Sequence, residues 1–240
     1  MSPIETARAF LNKARSIAVL TGAGISAESG IPTFRGASGL WRQFRPEELA
    51  TPEAFARDPQ TVWDWYHWRR SLIAEARPNA GHLALALLEQ SIPKFTLVTQ
   101  NVDGLHGAAG SRAVLELHGS IWTLRCTQCG SQWVDREITE AKRLPYCRCG
   151  GLARPGVVWF GEELPHHIWQ AAERAVRACD VLLVVGTSAV VYPAAGLVPL
   201  ARSSGAKTVE INIEESPLSG IVDARLTGRA GDILPELIKE

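Results

Sequence analysis

Ser-Ile-Ala-Val-Leu-Thr-Gly-Ala-Gly-Ile-Ser-Ala-Glu-Ser-Gly, residues 16–30, is the stretch that decides the fold. Residues 16–21 form a short apolar run that is typical of a strand buried in a parallel sheet. The glycines that follow fit the pattern G-x-G-x-x-(G/A), in which the backbone turns tightly and the amides of a helix N-terminus meet a pyrophosphate. A tight turn between a strand and a helix, without any ligand, is the alternative interpretation of the same residues.

Strands and helices alternate along the rest of the chain. Further strands are predicted at residues 95–99, 113–117, 180–185 and 207–211. Helices are predicted at residues 4–15, 60–76, 81–90, 165–178, 194–204 and 232–239. This alternation predicts an α/β fold with a doubly wound, mostly parallel sheet.

Two stretches interrupt the alternation, and we expect them to be inserts that build a smaller module beside the sheet. Residues 31–77 hold proline, arginine and aromatic residues around one clear helix, whereas residues 122–154 hold four cysteines. The first is expected to be a helical insert with a cofactor loop, and the second a zinc-binding insert. The nucleotide-binding domain would then consist of residues 1–30, 78–121 and 155–240.

The four cysteines form two pairs, Cys126-x-x-Cys129 and Cys147-x-Cys149, separated by seventeen residues. Two thiolate pairs joined by a short insert predict a tetrahedral zinc site, and four thiolates leave no open position for a catalytic water. Only Arg148 separates the second pair, so the hairpin that carries it must be tight. A cluster of thiols without zinc is the alternative.

Charge and composition limit the classes of partner. The 240 residues contain 25 lysines and arginines and 25 aspartates and glutamates, so the formal net charge is zero. A protein held on nucleic acid by phosphate neutralisation requires a basic surface, so direct nucleic-acid binding is not expected. The first residues show no basic run followed by an apolar stretch, and no apolar segment is long enough to span a membrane. We therefore expect a cytoplasmic protein, and a monomer.

The continuation that a dehydrogenase requires is missing. An acidic residue should close a second strand about twenty residues after the glycine loop, to hold the ribose. Residues 31–50 form no such strand, so other strand ends must hold the ribose. Gly186-Thr187-Ser188 and Asn212-x-Glu214 each follow a predicted strand, and ligands of open α/β sheets bind outside the carboxyl ends of the strands.

Polar side chains follow two more of the predicted strands. Gln100, Asn101 and Asp103 come after strand 95–99, and His118 comes directly after strand 113–117. A histidine at a strand end can act as a base near neutral pH. His106 is a weaker candidate. Four further histidines are interpreted as surface or helix-end residues: His67, His82, His166 and His167.

These residues together resemble the sirtuins, the NAD-dependent protein-lysine deacylases, from about residue 16 to residue 235. The resemblance is carried by ordered motifs: Gly22-Ala23-Gly24-Ile25-Ser26 with Gly30-Ile31-Pro32-x-Phe34-Arg35, Gln100-Asn101-Val102-Asp103-x-Leu105-His106, Leu117-His118-Gly119, Val157-Val158-x-Phe160-Gly161-Glu162, and Gly186-Thr187-Ser188. Valine at position 102 replaces the more usual isoleucine. The spacing of Cys147 and Cys149 is shorter than sirtuins commonly show.

The resemblance implies a Rossmann-like sheet, NAD as a co-substrate and one structural Zn²⁺. It implies NAD contacts at Gly22, Ala23, Gly24, Ser26, Ile31, Phe34, Arg35, Trp41, Gln100, Asn101, Val102, Asp103, Gly186, Thr187, Ser188, Asn212, Glu214 and Ala230. His118, Asn101 and Asp103 would be catalytic, and zinc would be held by Cys126, Cys129, Cys147 and Cys149. The substrates would be acyl-lysine proteins, bound by Val158, Phe160, Gly161 and Glu162, and the products nicotinamide and O-acyl-ADP-ribose.

The helix at 60–76 adds a prediction about the acyl group. Tyr66 and Arg69 are three residues apart and so share one helix face, where a phenol and a guanidinium can hold a carboxylate. Tyr-x-x-Arg at this place resembles the sirtuin branch that removes succinyl and malonyl groups; acetyl is expected as a further substrate. The alternative is that Tyr66 simply packs and Arg69 reaches solvent.

Two other functions remain open from the sequence. One is a protein ADP-ribosyltransferase that cleaves NAD in the same way and delivers the ribose to a protein side chain. The other is a zinc-ribbon binding module that senses NAD without consuming it.

Overall fold

The computed structural model describes residues 1–35, 39–138 and 144–239. Within these residues the strands are β1 (Ser16–Thr21), β2 (Lys94–Thr99), β3 (Val114–Glu116), β4 (Gly119–Cys126), β5 (Gln132–Val134), β6 (Ala153–Val157), β7 (Val181–Val185), β8 (Lys207–Asn212) and β9 (Ala224–Thr227). The α-helices are α1 (Pro3–Leu11), α2 (Pro46–Leu49), α3 (Pro52–Arg57), α4 (Pro59–Glu75), α5 (Ala80–Ser91), α6 (Leu105–Ala108), α7 (His166–Ala178), α8 (Leu197–Ser203) and α9 (Ala230–Ile238). Shorter 3₁₀ helices cover Ala23–Ser29, Leu40–Arg42 and Ala194–Gly196.

Six of the strands form one sheet, the large sheet, in the order β3-β2-β1-β7-β8-β9. Each pair of neighbours runs parallel. Counted within the sheet, this is the order 3-2-1-4-5-6 of dinucleotide-binding folds, whose switch point lies between the first and fourth strands, here β1 and β7. The predicted α/β fold is confirmed.

Helices cover both faces of the large sheet. Because successive side chains of a strand point to opposite faces, Ile17 and Val19 of β1 pack in one hydrophobic cluster with residues of α1, α5 and α9. Ala18 and Leu20 pack in a second cluster with residues of α7 and α8. The sheet is therefore doubly wound, as predicted, and its strands are apolar on both sides for that reason.

The remaining three strands form an antiparallel sheet in the order β5-β4-β6. Together with α2, α3 and α4 they make the small module. Trp63 of α4 is fully buried in one cluster with Ile121 and Leu124 of β4 and Ala153 of β6, and its indole Nε1 donates to the carbonyl oxygen of Ala153 at 2.9 Å. The two inserts therefore share one hydrophobic core, although the residue limits of the domains stay a prediction.

Several elements differ from the sequence prediction. The strands β4, β5, β6 and β9 and the helices α2, α3 and α6 were not predicted. Apart from β4, which has eight residues, these elements are only three to six residues long, and β4 lacks a regular alternation of buried and exposed residues. The helix predicted at 194–204 is divided into the 3₁₀ helix Ala194–Gly196 and α8. Pro199 explains the division, because it has no amide hydrogen to donate to the carbonyl oxygen of Ala195, as a continuous α-helix would require. No helix within the described ranges is long and apolar enough to cross a membrane.

The loops that follow β1 and β7 touch each other through glycines. The amide of Gly24 donates to the carbonyl oxygen of Gly186 at 2.8 Å, and a Cβ on Gly24 would lie 2.7 Å from the Gly186 Cα. Gly186 has a φ of +59°, and a Cβ there would lie 2.5 Å from the amide nitrogen of Ile25. Packing between the two loops therefore requires glycine at both positions.

We expect Gly186→Ala to lower the free energy of unfolding by about 2–5 kcal/mol, because a left-handed alanine and an overpacked contact both cost stability. Gly205→Ala is the matched control, since Gly205 also has a positive φ, +94°, but has no atom within 4 Å of the added Cβ. Its loss should be about 1–2 kcal/mol. Urea denaturation measures both, and equal losses would contradict the steric explanation.

Candidate functional site

The carboxyl ends of four neighbouring strands, β2, β1, β7 and β8, open into a cavity of about 520 Å³ that the small module closes from the other side. A volume of this size is typical of small-molecule sites. The predicted site residues that line it are Gly22, Ala23, Gly24, Phe34, Arg35, Trp41, Tyr66, Arg69, Gln100, Asn101, Val102, His118, Val158, Phe160, Gly161, Glu162, Gly186, Thr187, Ser188, Asn212 and Glu214. Residues distant in sequence therefore meet around one cavity.

Four of the predicted NAD-binding residues lie outside the cavity lining. Ser26 and Asp103 are buried and hydrogen-bond to each other next to Asn101. Ile31 packs in the core of the small module. Ala230 begins α9 and packs in the core of the large sheet, so a contact with the dinucleotide would use its backbone.

Asn101 and Asp103 are fixed by a hydrogen-bond network beneath the glycine loop. The Asn101 Nδ2 donates to the carbonyl oxygen of Gly22 and to the Ser26 hydroxyl, each at 3.1 Å. The Ser26 hydroxyl donates to the Asp103 carboxyl at 2.8 Å, as does the amide of Leu105. Burial raises the pKa of Asp103, while these hydrogen bonds oppose the shift. The network holds both side chains at one strand end.

His118 lies where β3 passes into β4, and the main chain holds its ring. The Nδ1 atom lies 2.9 Å from the carbonyl oxygen of Gln100. A carbonyl can only accept, so Nδ1 carries the proton and Nε2 keeps its lone pair in the neutral ring. Burial lowers the pKa of His118, which favours this neutral form. The next residue, Gly119, has a φ of +71°, and a Cβ there would collide with the carbonyl oxygen of Gly156.

His67 and His82 were predicted to be surface or helix-end residues. His67 is buried within α4, so the prediction is wrong for it, whereas His82 does lie at a helix end, in the first turn of α5, and is buried there. The His82 ring lies 4.9 Å from that of His106, which contacts the Thr21 hydroxyl through Nε2 at 2.9 Å. Burial lowers the pKa of His82 to about 4 and that of His106 to about 3. Both rings are therefore neutral at physiological pH.

Tyr66 and Arg69, the pair that the sequence analysis expects to hold an acidic acyl group and that we therefore name the acyl clamp, lie on α4 at the wall of the cavity, and both are buried. The Arg69 guanidinium carbon lies 4.8 Å from the ring centre of Phe34 and 4.9 Å from that of Trp65. Burial lowers the pKa of Arg69, yet an arginine stays protonated in proteins. Across the described residues, Arg69 forms no ion pair with a carboxylate.

The segment predicted to bind substrate leaves β6 along the cavity. The amide of Val158 donates to the carbonyl oxygen of His118, and that of Phe160 to the carbonyl oxygen of Ala50, each at 2.9 Å. The Glu162 carboxylate accepts from the Arg154 Nη2 and from the amide of Trp159, each at 2.8 Å. Glu162 therefore holds the turn of the segment, besides lining the cavity.

Trp65 and Trp159 are two of the three aromatic cavity residues that the sequence analysis did not place in the site, the third being Tyr192. Trp65 stacks against Trp41 with ring centres 5.8 Å apart, and Trp159 donates its indole Nε1 to the Tyr66 hydroxyl at 2.8 Å. Both line the cavity. Trp159 occupies the position left open inside the motif Val157-Val158-x-Phe160, so only that motif could have pointed to it.

The four cysteine sulfurs meet at the far end of the small module, all within 4.8 Å of one another. Cys126 and Cys149 have sulfurs 3.5 Å apart, and those of Cys129 and Cys147 are 3.7 Å apart. A tetrahedral ion with Zn–S distances of about 2.3 Å places its sulfurs about 3.8 Å apart. The four sulfurs therefore fit one zinc ion, and the close spacing of Cys147 and Cys149 is accommodated by a turn at Gly150, whose φ is +86°.

Comparisons with known proteins agree with this geometry. A profile of the Sir2 family matches residues 22–193. An NAD-dependent protein deacylase of Pyrobaculum aerophilum is 57% identical over 96% of this chain and 93% of its own. A Sir2 homologue solved with NAD superposes with a TM-score of 0.92 and 49% identity, covering 97% of this chain and 91% of that one. A Sir2 protein with deacetylated p53 peptide and 3′-O-acetyl-ADP-ribose gives a TM-score of 0.91 at 31% identity, covering 99% and 98%.

We expect Cys149→Ser to reduce bound zinc well below one ion per chain and to lower the melting temperature by about 5–10 °C, since binding of a structural zinc contributes directly to folding. Metal analysis and thermal unfolding measure the two effects. Cys179→Ser is the control, because Cys179 is buried in the other core, beside α7. Full zinc content in Cys149→Ser would show that the site does not use all four thiolates.

Proposed function

The chain belongs to the Sir2 family, and we propose that this NAD-dependent protein deacylase removes acidic acyl groups, such as succinyl and malonyl, from protein lysines. Acetyl groups are further substrates. The products are nicotinamide, free lysine and an O-acyl-ADP-ribose. One observation carries the acidic preference: a buried guanidinium, Arg69, faces the cavity and makes no direct ion pair with a carboxylate of the described residues, while Asp103 acts on it only from a longer distance.

A buried cation without a counterion is costly, because the protein interior replaces its hydration poorly. The aromatic rings around Arg69 recover part of this cost through cation–π contacts. A carboxylate at the end of a succinyl or malonyl chain would supply the missing counterion and accept two parallel hydrogen bonds from the planar guanidinium. An acetyl group has no such carboxylate, so it gains nothing from the charge.

Asp103, Asn101 and His118 each have a different role in the reaction at the nicotinamide–ribose bond of NAD. NAD supplies the ribose carbon that captures the acyl oxygen as nicotinamide leaves. Asp103 holds the carboxamide, and Asn101 orients the ribose or a water. His118 removes a proton from a ribose hydroxyl through Nε2, which the hydrogen bond from Nδ1 to Gln100 leaves unprotonated in the neutral ring.

The substrate peptide lies against residues 157–162 and about 188–192. Main-chain pairing of this kind reads little of the side-chain sequence, so many acyl-lysine proteins are substrates. Phe160 supports such a surface, since 43% of it is exposed at the mouth of the cavity.

A panel of acetyl-, malonyl- and succinyl-lysine peptides, assayed with and without NAD, tests the proposal. We expect Arg69→Met to lower kcat/KM for succinyl-lysine by about 100-fold, as expected for losing a charged hydrogen-bonded pair, and for acetyl-lysine by less than about threefold. Mass spectrometry should find O-acyl-ADP-ribose. ADP-ribosylated protein in its place would indicate the transferase alternative.

Arg57→Met is the matched control, because Arg57 is exposed at the end of α3 and does not line the cavity. It should leave both substrates unchanged. If Arg69→Met lowers turnover of acetyl- and succinyl-lysine by the same factor, the clamp has no role in selecting the acyl group.

The pH profile tests His118 separately. The base must be neutral, so activity falls as the pH drops through the pKa of the imidazole. Because burial lowers the pKa of His118, we expect the acid limb of kcat/KM for an acetyl peptide to have its midpoint below 6.5. We choose the acetyl peptide because its acyl group has no carboxylate, so no ionisation of the substrate's acyl group contributes to the pH profile. A midpoint above 6.5 would contradict the role of a buried neutral ring, and His118→Ala should abolish turnover.

A further inference from the structure

Trp159 connects the substrate segment to the acyl clamp. Its indole Nε1 lies 2.8 Å from the hydroxyl oxygen of Tyr66, and only 3% of Trp159 and 2% of Tyr66 is exposed. In the described part of the chain this is the one hydrogen bond that the Tyr66 hydroxyl makes. A contact so fully buried is strong, because water does not compete for either atom.

The direction of this hydrogen bond decides what Tyr66 can do. An indole N–H can only donate, so the phenol oxygen accepts and its own proton must point elsewhere. Burial raises the pKa of Tyr66, so the proton stays on the oxygen at neutral pH. The neighbouring Arg69 has no acceptor atom either. The clamp therefore presents donors alone, and an acceptor has to come from a bound ligand.

Trp159 is itself held rigidly. The guanidinium carbon of Arg154 lies 3.4 Å from the centre of its ring, and Arg154 is paired with Glu162. The ring of Phe55 packs nearby, with ring centres 5.3 Å apart. The amide of Trp159 donates to the Glu162 carboxylate. The indole is thus fixed by its ring face and by its backbone.

We propose that Trp159 is a positioning residue that determines acyl selectivity: its N–H occupies the Tyr66 oxygen and turns the hydroxyl proton toward the carboxylate of an acidic acyl group. This inference rests on the proposed function and names the residue that makes Tyr66 a donor. A phenylalanine at position 159 would fill similar space and leave the hydroxyl free to rotate, so the proton would no longer be directed to the ligand.

The test is Trp159→Phe, assayed with succinyl- and acetyl-lysine peptides at saturating NAD. We expect KM for the succinyl peptide to rise about fivefold, which is part of what a hydrogen bond to a charged group contributes, because the freed hydroxyl still reaches the carboxylate in one of its orientations. KM for the acetyl peptide should rise less, so the ratio of succinyl to acetyl KM should increase several-fold. Benzothienylalanine at position 159 repeats the test without a cavity, because it keeps the bicyclic ring and lacks the N–H.

Trp63→Phe is the matched control. Trp63 lies on the same helix as the clamp and also loses a buried indole hydrogen bond, the one to Ala153, but it does not line the cavity. It should lower the melting temperature without changing the ratio of succinyl to acetyl KM. An equal change of that ratio in Trp63→Phe would mean that the effect of Trp159 is a general loosening of the small module, which overturns the proposal.

A double-variant cycle with Tyr66→Phe shows whether Trp159 acts through the hydroxyl. If it does, Trp159→Phe should add nothing to Tyr66→Phe, since the hydroxyl is already absent. Additive increases of the succinyl KM in the double variant, or an unchanged succinyl KM in Trp159→Phe, would overturn the inference about Trp159. The proposed function would then still be tested separately by Arg69→Met. If Arg69→Met shows no selective loss of succinyl turnover, the proposed function fails, and the inference fails with it.

Discussion

The loops that leave β1 and β7 meet backbone to backbone at Gly24 and Gly186, and the site depends on this contact. Parallel strands on either side of the switch point send their connections to opposite faces, so a crevice opens there. In this protein polar side chains bridge the crevice. Gln100 of the β2 end donates to the Thr187 hydroxyl after β7, and Asn212 at the end of β8 donates to the Thr187 carbonyl oxygen. Four strand ends are thereby held in one row before any ligand binds.

The small module completes the cavity from one core to which both inserts contribute. In that core α4 of the first insert packs on β4 and β6, which flank the second. The same helix therefore has a structural face, with Trp63, and a face toward the cavity, with Tyr66 and Arg69. Arg70 is buried as well but is paired with Asp135, so one buried arginine of α4 stabilises the module and its neighbour remains open to a ligand.

The sequence predicted those features that depend on residues close together in the chain. The apolar run of β1, the glycines after it and the polar residues at strand ends follow from chain geometry, and they predicted the large sheet and most of the cavity lining. Long-range packing was not predictable in the same way. The strands β4 to β6 have no regular alternation, since their pairing depends on the shared core. The burial of His82 and the hydrogen bond from Trp159 to Tyr66 arise from residues that are distant in sequence, with no local pattern to indicate them.

The two halves of the cavity wall come from different parts of the architecture. One side is built by strand ends of the large sheet, whereas the side that carries Tyr66 and Arg69 is built by α4 and the segment after β6, which belong to a separate hydrophobic core. Substitutions in that second core therefore reshape the wall with Tyr66 and Arg69 and leave the strand ends of the large sheet in place. A single chain thus has two cavity walls that can be redesigned one at a time.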